Sequence, residues 1–281
     1  MTSTMPKHAR LLAGLPPFRP VAVQLLRMVG NPSVPFGQVA SLLKTDSILT
    51  AELLRAANSP LFTVRQEITN VLQAIVFLGL DMVSALVATT ALRALVDKGN
   101  CQFTYSCWRH SLAAAMICRN LAGFDGMAPE RCYTAGIMHD IGQLALLRVF
   151  PEYATMMLEA MQKGDDLNAA ERDRFGITHA EAGRWLLSQW GCPLELQNVT
   201  AHHVRPPVAY TRDRDLIVLV YTSSKLADRM GMSVFPLNEE MELEKATALF
   251  SETHRHKVIE DFQRLEETVI TSVNALEVSL G

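Results

Sequence analysis

Histidine and aspartate residues in the second half of the chain are the side chains best suited to do chemistry. His139 is followed directly by Asp140, at the end of an apolar run that begins at Ala135. Neutral imidazole and carboxylate groups together suit a borderline divalent cation such as Fe, Mn, Ni or Zn. A bound cation of this kind lowers the pKa of coordinated water and makes hydroxide available near neutral pH.

Helix geometry limits where such a cation could bind. Adjacent side chains on a helix point about 100° apart, so His139 and Asp140 reach one ion only if it lies in a gap beside the helix. Further histidines come from other predicted helices, which is how helical bundles assemble metal sites in their cores. The candidate ligands for one or two ions are His110, His139, Asp140, His179, His202, His203 and Asp228.

An alternative is that each histidine is an isolated core or capping residue, which is the simpler interpretation for any one of them. Five histidines and two aspartates in a fixed order are stronger evidence than one His-Asp pair, and they favour the metal site. The remaining histidines, His8, His254 and His256, lie in polar surroundings, and we expect no role for them.

The elements that carry these residues are predicted to be helices, and the fold class is all-α. The sequence lacks alternating Val, Ile and Thr runs bounded by hairpin turns, whereas apolar residues recur at helical spacing. Asp46 and Thr69 are the predicted N-caps of two helices, and Gly79 marks a break before a helix over 82–95. Later helices are predicted over 104–122, 129–149, 151–163, 178–190, 193–203 and 212–230, with one or two more from 239 onward.

Three regions are predicted from the polar turn at Lys98-Gly99-Asn100 and from the distribution of charge. A helical lobe covers 1–100, a bundle with the candidate metal site covers 101–235, and acidic helices cover 236–281. The first hundred residues hold 9 basic and 5 acidic side chains, and the remainder holds 17 and 24. Surface scatter explains this difference better than a basic functional face. The acidic tail is either a solvated helix face or a helix that binds a partner or a second copy.

Composition excludes several classes of protein. Hydrophobic residues make up 49% of the 281 and charged residues 20%, which excludes an intrinsically disordered chain. A net charge of −3 argues against nucleic-acid binding through bulk positive charge. No apolar run reaches the ~20 residues of a membrane span, and no signal-peptide pattern follows the N-terminus. Five cysteines without a CxxC pair suit reduced thiols, so we expect a cytoplasmic protein without membrane or nucleic-acid partners.

The order of the candidate ligands resembles the HD superfamily of metal-dependent phosphohydrolases, with a layout close to the HD-GYP branch. The motifs that carry this resemblance are His110-Ser111, His139-Asp140-Ile141-Gly142, His179 with Gly183, His202-His203 and Asp228. The first half resembles the HDOD domain, a bacterial signalling relative of HD proteins. Its motifs are Leu15-Pro16-Pro17, Leu53-Leu54-Arg55-Ala56-Ala57-Asn58-Ser59 and Ala74-Ile75-Val76-Phe77-Leu78-Gly79-Leu80. The resemblance implies two packed bundles, an HDOD-type bundle and an HD-like bundle.

The resemblance also implies roles for the ligands and shows two departures. A first metal would be held by His139, Asp140, His110 and Asp228, and a second by His179, His202 and His203, with Asp140 bridging the two. HD-GYP enzymes carry Lys directly after His-Asp-Ile-Gly, where this chain has Gln143, and no Gly-Tyr-Pro motif follows the histidine pair. Because Gln offers no positive charge to a substrate phosphate, hydrolysis of cyclic di-GMP is not expected.

Two functions are compatible with these observations. The first, favoured by the departures, is a bacterial signalling or regulatory module that binds a signalling protein partner, a small nucleotide or phosphate ligand, or a metal. The second is a metal-dependent phosphohydrolase, either a phosphodiesterase or a phosphomonoesterase, which the complete ligand set favours. Two ions about 3.5–4 Å apart with open positions are typical of hydrolysis. A site filled by side chains such as Gln143 would indicate a structural or sensing role.

Overall fold

The computed structural model describes residues 12–15, 18–28, 33–64, 66–96, 102–205, 213–237 and 241–280. Every regular element in these ranges is a helix, which confirms the predicted all-α class. The first helices along the chain are α1 Pro20–Met28, α2 Phe36–Leu43, α3 Ser47–Ala57, α4 Val71–Leu78 and α5 Leu80–Arg93.

The candidate ligands lie on a second series of helices. These are α6 Gln102–Leu121, α7 Pro129–Met138, α8 Ile141–Val149, α9 Tyr153–Lys163, α10 Leu167–Phe175, α11 His179–Gln189, α12 Leu194–His202 and α13 Arg214–Arg229. A 3-10 turn, Ala122–Asp125, follows α6. The tail contributes α14 Leu243–Ala246, α15 Glu252–Glu260 and α16 Phe262–Leu280.

The N-caps of α3 and α4 test two of the predicted helix starts. The Asp46 side chain accepts a hydrogen bond from the backbone N–H of Leu49, which confirms it as the N-cap of α3. The prediction for Thr69 was wrong by one residue, because Asn70 accepts from the Gln73 backbone N–H and caps α4. The Thr69 hydroxyl donates instead to the side-chain oxygen of Gln73.

Two further helix predictions need correction. The single helix predicted over 129–149 is two helices, α7 and α8, separated by His139 and Asp140. The sequence pattern also predicts no helix between 163 and 178, where α10 lies. Helix α10 was not predicted because the charged Glu171 lies between Leu167 and Phe175 on the same helix face. The apolar periodicity of this segment is therefore weak.

The central helix of the site region is α6, which packs against α7, α8, α13 and α16. Its contact with α7 is unusually close, because a Cβ added at Gly136 would lie 2.6 Å from the Cα of Ala115. Only a glycine fits between the two backbones at this point. The close packing sets the separation between His110 on α6 and His139 at the end of α7.

The acidic tail packs on both earlier parts of the chain. Helix α16 lies against α3 and α6, and it buries Leu265, Val269 and Val273 on its inner face. The guanidinium of Arg109 on α6 donates to the carboxylate of Glu277 at 2.8 Å. One face of the predicted acidic helix is therefore a packing surface, and its charged residues lie mainly on the other.

No single helix in the described part of the chain has the length and apolar character needed to cross a bilayer. Helices α4 and α5 meet that test only together, and they are bent by 119° relative to each other. The bend occurs at Gly79, which has a φ of +82° and confirms the predicted break.

The α6–α7 contact yields a stability prediction. We expect Gly136→Ala to lower the free energy of unfolding by about 1–3 kcal/mol, because the new methyl group meets backbone atoms that cannot move aside alone. Gly37→Ala in α2 is the matched control, since no atom lies within 4 Å of its Cβ position. Chemical denaturation of both variants measures the difference, and equal stabilities would show that the α6–α7 contact is not tight.

Candidate metal centre

The junction between α7 and α8 places His139 and Asp140 at the centre of the bundle. His139 is the C-cap residue of α7, and Asp140 is the N-cap residue of α8. Aspartate at this position usually caps the helix with its side chain. Here the carboxylate makes no capping hydrogen bond, and it is buried together with the His139 ring. It is therefore available for another partner.

Two glycines bring α8 and α11 together at this junction. A Cβ at Gly142 would lie 1.9 Å from the carbonyl oxygen of His179 and 2.5 Å from the backbone nitrogen of Gly183. A Cβ at Gly183 would lie 2.4 Å from the methyl group of Thr200 on α12. The absence of side chains at both positions lets the start of α11 reach Asp140.

Five of the seven predicted ligands converge. Potential ligand atoms of His110, His139 and Asp140 all lie within 4.8 Å of one another, and so do those of Asp140, His179 and His203. Asp140 belongs to both groups, and all five residues are buried. Ring centroids of neighbouring histidines are 5.0–5.4 Å apart. This arrangement of two adjacent groups around one carboxylate fits one or two metal ions.

Each clustered histidine is anchored through Nδ1. His139 donates to the carbonyl of Gly136 at 2.6 Å, and His203 donates to that of Thr200 at 2.8 Å. His110 bonds to the carbonyl of Met232 at 3.0 Å. His179 is held by the carboxylate of Glu171, at 2.8 and 2.9 Å from its two oxygens. A proton on Nδ1 leaves the lone pair on Nε2, which is the form that binds a metal.

Two buried polar atoms support the interpretation as a metal site. Nε2 of His139 and Oδ1 of Asp140 have no hydrogen-bond partner among the described residues. Buried polar atoms without a partner are rare because they lose the hydration that they have in the unfolded chain. A divalent cation between these atoms would satisfy both of them, so the donor set fits a metal.

The pKa values of the cluster follow from burial and mutual proximity. Burial and the neighbouring His110 lower the pKa of His139 to about 3. Burial and His139 likewise lower the pKa of His203 well below its usual value. Burial raises the pKa of Asp140 to about 6, although nearby His179 and His110 oppose the shift. Burial lowers the pKa of His179, but the Glu171 carboxylate outweighs this effect and raises it overall. His139 and His203 are therefore neutral at pH 7, as metal ligation requires.

The other two predicted ligands take different positions. Asp228 on α13 lines the cavity beside the cluster, but its Oδ1 lies 3.5 Å from Nδ1 of His110 rather than within either three-residue group. His202, at the end of α12, does not line that cavity, and its Nδ1 bonds to the carbonyl of Asn198. The rotation of α12 about its axis directs His202 away from the cluster and His203 toward it.

Two of the three histidines for which no role is expected lie in the described part of the chain. His254 stacks on Phe124 at 4.9 Å, and His256 pairs with Glu260 on an exposed face. His8 lies outside the described residues.

Comparison with known proteins identifies the family. A model of the HDOD domain matches residues 15–206. The chain belongs to the HDOD domain family. It is similar to the crystal structure of an HDOD domain protein of unknown function from Geobacter sulfurreducens, with a TM-score of 0.75 and 22% identity over 95% of this chain and 97% of that one.

Two other proteins are similar to this chain. A crystal structure from Shewanella amazonensis SB2B, provisionally described as a phosphohydrolase, has a TM-score of 0.72 and 24% identity over 97% of both chains. An uncharacterized protein of Treponema pallidum (strain Nichols) is 23% identical over 202 residues. That match covers 70% of this chain but only 39% of the relative, so the chain spans about two fifths of its length. The structural likenesses show a shared fold.

One important residue of the HDOD chain, Glu171, was missed by sequence reasoning. Its carboxylate is 0% exposed and contacts His179, although it lies in the polar stretch that was not predicted to be helical. A signal was present, because Leu167, Glu171 and Phe175 are spaced four residues apart and share one helix face. A carboxylate in the inward-facing stripe of a helix is a candidate functional group.

The cluster lies at the base of a cavity of about 380 Å³. Lys225 and Arg205 contribute positive charge to its wall, and Gln143 contributes a buried amide. Lys225 Nζ lies 3.6 Å from the Asp228 carboxylate, and Arg205 pairs with Asp166 at 2.5 Å. The apolar part of the wall comes from Met157, Met161, Leu167, Val204, Val234, Phe235 and Leu237.

Burial of Asp140 yields a stability prediction for the metal-free chain. We expect Asp140→Asn to raise the free energy of unfolding by roughly 1–3 kcal/mol at pH 7.5, because it removes a buried charge with an unpaired oxygen. The pKa of about 6 in the folded chain exceeds the ordinary aspartate value of 3.8, so the ionised carboxylate destabilises the fold above pH 6. The advantage of the Asn variant should shrink as the pH falls toward 4.

Denaturation in the presence of a chelator at both pH values measures this difference. Asp215→Asn on α13 is the control, because its carboxylate is exposed and its removal should change little at either pH. A destabilised Asp140→Asn variant at pH 7.5 would show that the carboxylate has a partner in the metal-free fold.

Proposed function

We propose that this HDOD chain is a signalling module whose state is set by divalent metal at the histidine cluster and by a small phosphate-bearing ligand in the cavity. The observation that carries the proposal is the pair of three-residue groups that share Asp140. Their residues come from α6, the α7–α8 junction, α11 and the end of α12, which are distant in sequence. Because metal binding adds to the stability of the form that binds it, occupancy would tie these helices together.

The donor set favours Fe, Mn, Ni or Zn over Mg or Ca, because imidazole nitrogens outnumber carboxylate oxygens. One ion would be held by His110, His139 and Asp140, and a second by Asp140, His179 and His203. When bound, such ions supply positive charge and Lewis acidity. The residues of this chain hold the imidazoles in the ligating tautomer and keep the carboxylate out of water.

The regulatory interpretation is supported by the charge around the cavity. Gln143 is buried and uncharged, so the position that carries Lys in HD-GYP enzymes offers no cation here. Among the described residues, the cations that line the cavity are Lys225 and Arg205, and both face carboxylates of this chain. An incoming phosphate would compete with Asp228 and Asp166 for them. Lys225 and Asp228 lie on the same helix, so the movement proposed here is that of the segment after α12, which Arg205 joins to the start of α10. A signalling protein partner that reads this movement is the proposed output.

A metal-dependent phosphohydrolase is the second candidate. The specific observation in its favour is the cavity beside the cluster, because a closed structural site would leave no room for a substrate. In that case Lys225 and Arg205 would orient the phosphate, and the apolar wall around Phe235 would hold the remainder of the substrate. The absence of a cation at Gln143 argues against it.

Metal analysis tests the metal part of the proposal. We expect the purified chain to retain up to two equivalents of Fe, Mn, Ni or Zn, and His139→Ala to lose at least one because Nε2 of His139 has no other partner. His256→Ala, on an exposed face, is the control and should bind as the unaltered chain does. Elemental analysis and titration after reconstitution measure both. A folded chain that takes up no metal would refute the proposal.

Phosphate binding separates the two candidates. We expect the metal-loaded chain to bind inorganic phosphate without hydrolysing bis(p-nitrophenyl) phosphate, and Lys225→Ala to weaken phosphate binding roughly tenfold through loss of one charge-assisted contact. Calorimetry and a colorimetric assay provide the two measurements. Lys245→Ala in α14 is the control, because its ammonium is exposed and does not line the cavity. Turnover that disappears in His139→Ala would assign the phosphohydrolase instead.

A further inference from the structure

His179 is held differently from the other three histidines of the cluster. The Nδ1 atoms of His110, His139 and His203 bond to neutral main-chain carbonyls. Nδ1 of His179 bonds to both oxygens of the Glu171 carboxylate. A carboxylate behind an imidazole fixes its tautomer and raises the basicity of Nε2 more than a carbonyl does.

The position of His179 in its helix explains why a carboxylate is needed. His139 and His203 are the C-cap residues that follow α7 and α12, where the last carbonyls of a helix lack partners and can accept the ring N–H. His179 begins α11, where the free backbone groups are N–H donors. Glu171 therefore serves two purposes, because it also accepts the backbone N–H of His179 at 3.0 Å.

Glu171 is itself fixed in place. The hydroxyl of the buried Tyr153 donates to one of its oxygens. The Glu171 carboxylate therefore accepts from a backbone N–H, a ring N–H and a phenol, which together fix its orientation. Tyr153 thus holds the buried Glu171 carboxylate directly behind His179.

In the subsite of His110 and His139 the corresponding carboxylate is farther away, because Oδ1 of Asp228 lies 3.5 Å from Nδ1 of His110. Nε2 of His110 lies 3.1 Å from the hydroxyl of Ser224, so this contact must break before His110 can ligate through that atom. The nearest carboxylate outside the group, Asp228, is partly neutralised by Lys225. The two three-residue groups therefore share Asp140 but differ in two respects. One is the carboxylate next to the histidines, and the other is whether a ligand nitrogen must first lose a hydrogen bond.

From these contacts we infer that the two metal subsites are unequal, and that the subsite of Asp140, His179 and His203 fills first and more tightly, with Glu171 as its positioning residue. This inference rests on the proposed metal binding. It assigns to Glu171 and Tyr153 a role in the order of occupancy rather than in contact with a ligand.

Site-resolved titration tests the order. Zn²⁺ is added to the metal-free chain labelled with ¹⁵N in its histidine rings, and the Nε2 signals are followed. We expect the signals of His179 and His203 to shift with the first equivalent, and those of His110 and His139 only with the second. Initial shifts at His110 and His139, or equal shifts at all four rings, would overturn the inference while leaving the metal site itself intact.

Variants test the role of Glu171. We expect Glu171→Gln to weaken the first Zn²⁺ equivalent by about 10–100-fold and to leave the second nearly unchanged. Asp173→Asn is the matched control, because it removes an exposed carboxylate of the same helix that does not line the cavity. Both steps should be unaltered in that variant. Equal weakening of both steps in Glu171→Gln would indicate a general structural role.

Tyr153→Phe keeps the test decisive if Glu171→Gln does not fold. It retains the carboxylate and removes one of its donors, so the first step should weaken by a smaller factor and the second should not change. An isotherm for Tyr153→Phe identical to that of the unaltered chain would overturn the role of this network. If the unaltered chain binds no Zn²⁺ at all, the proposed function fails first and the inference falls with it.

Discussion

The buried carboxylate of Asp140 is the group around which the rest of the bundle is arranged. Tight packing forces it inside, because Gly136, Gly142 and Gly183 allow neighbouring helices to meet backbone to backbone on either side of it. The same packing leaves one of its oxygens without a partner among the described residues. A fold that buries an unpaired charge in this way loses stability unless another group compensates. The imidazoles around Asp140 fit a divalent cation in that role.

Helix ends provide the remaining polar environment of the cluster. His139 and His203 follow the C-termini of α7 and α12, where partial negative charge accumulates on free carbonyls. Those carbonyls orient the rings and favour a cation at the same time. His179 lies at the positive start of α11, and the Glu171 carboxylate offsets that unfavourable end. The site is thus formed by main-chain electrostatics as much as by the ligand side chains.

Sequence reasoning predicted what depends on local pattern and failed where packing decides. The all-α class and the cap at Asp46 follow from periodicity and from the chemistry of single residues. The choice between His202 and His203 depends on the rotation of α12, since adjacent side chains differ by about 100°. The break at His139 depends on the contact of α8 with α11, which no local signal specifies. Glu171 was missed because a charged residue in an inward stripe weakens the apolar pattern.

The distribution of positive charge bears directly on function. An enzyme that stabilises a transition state presents its charges already oriented. In this chain Lys225 and Arg205 line the cavity and face Asp228 and Asp166, and the buried Gln143 carries no charge. A phosphate bound by both cations would compete with one contact inside α13 and with one that joins the start of α10 to the segment after α12. In the proposed signalling module, exchange of the second contact would couple ligand binding to a change between two parts of the chain.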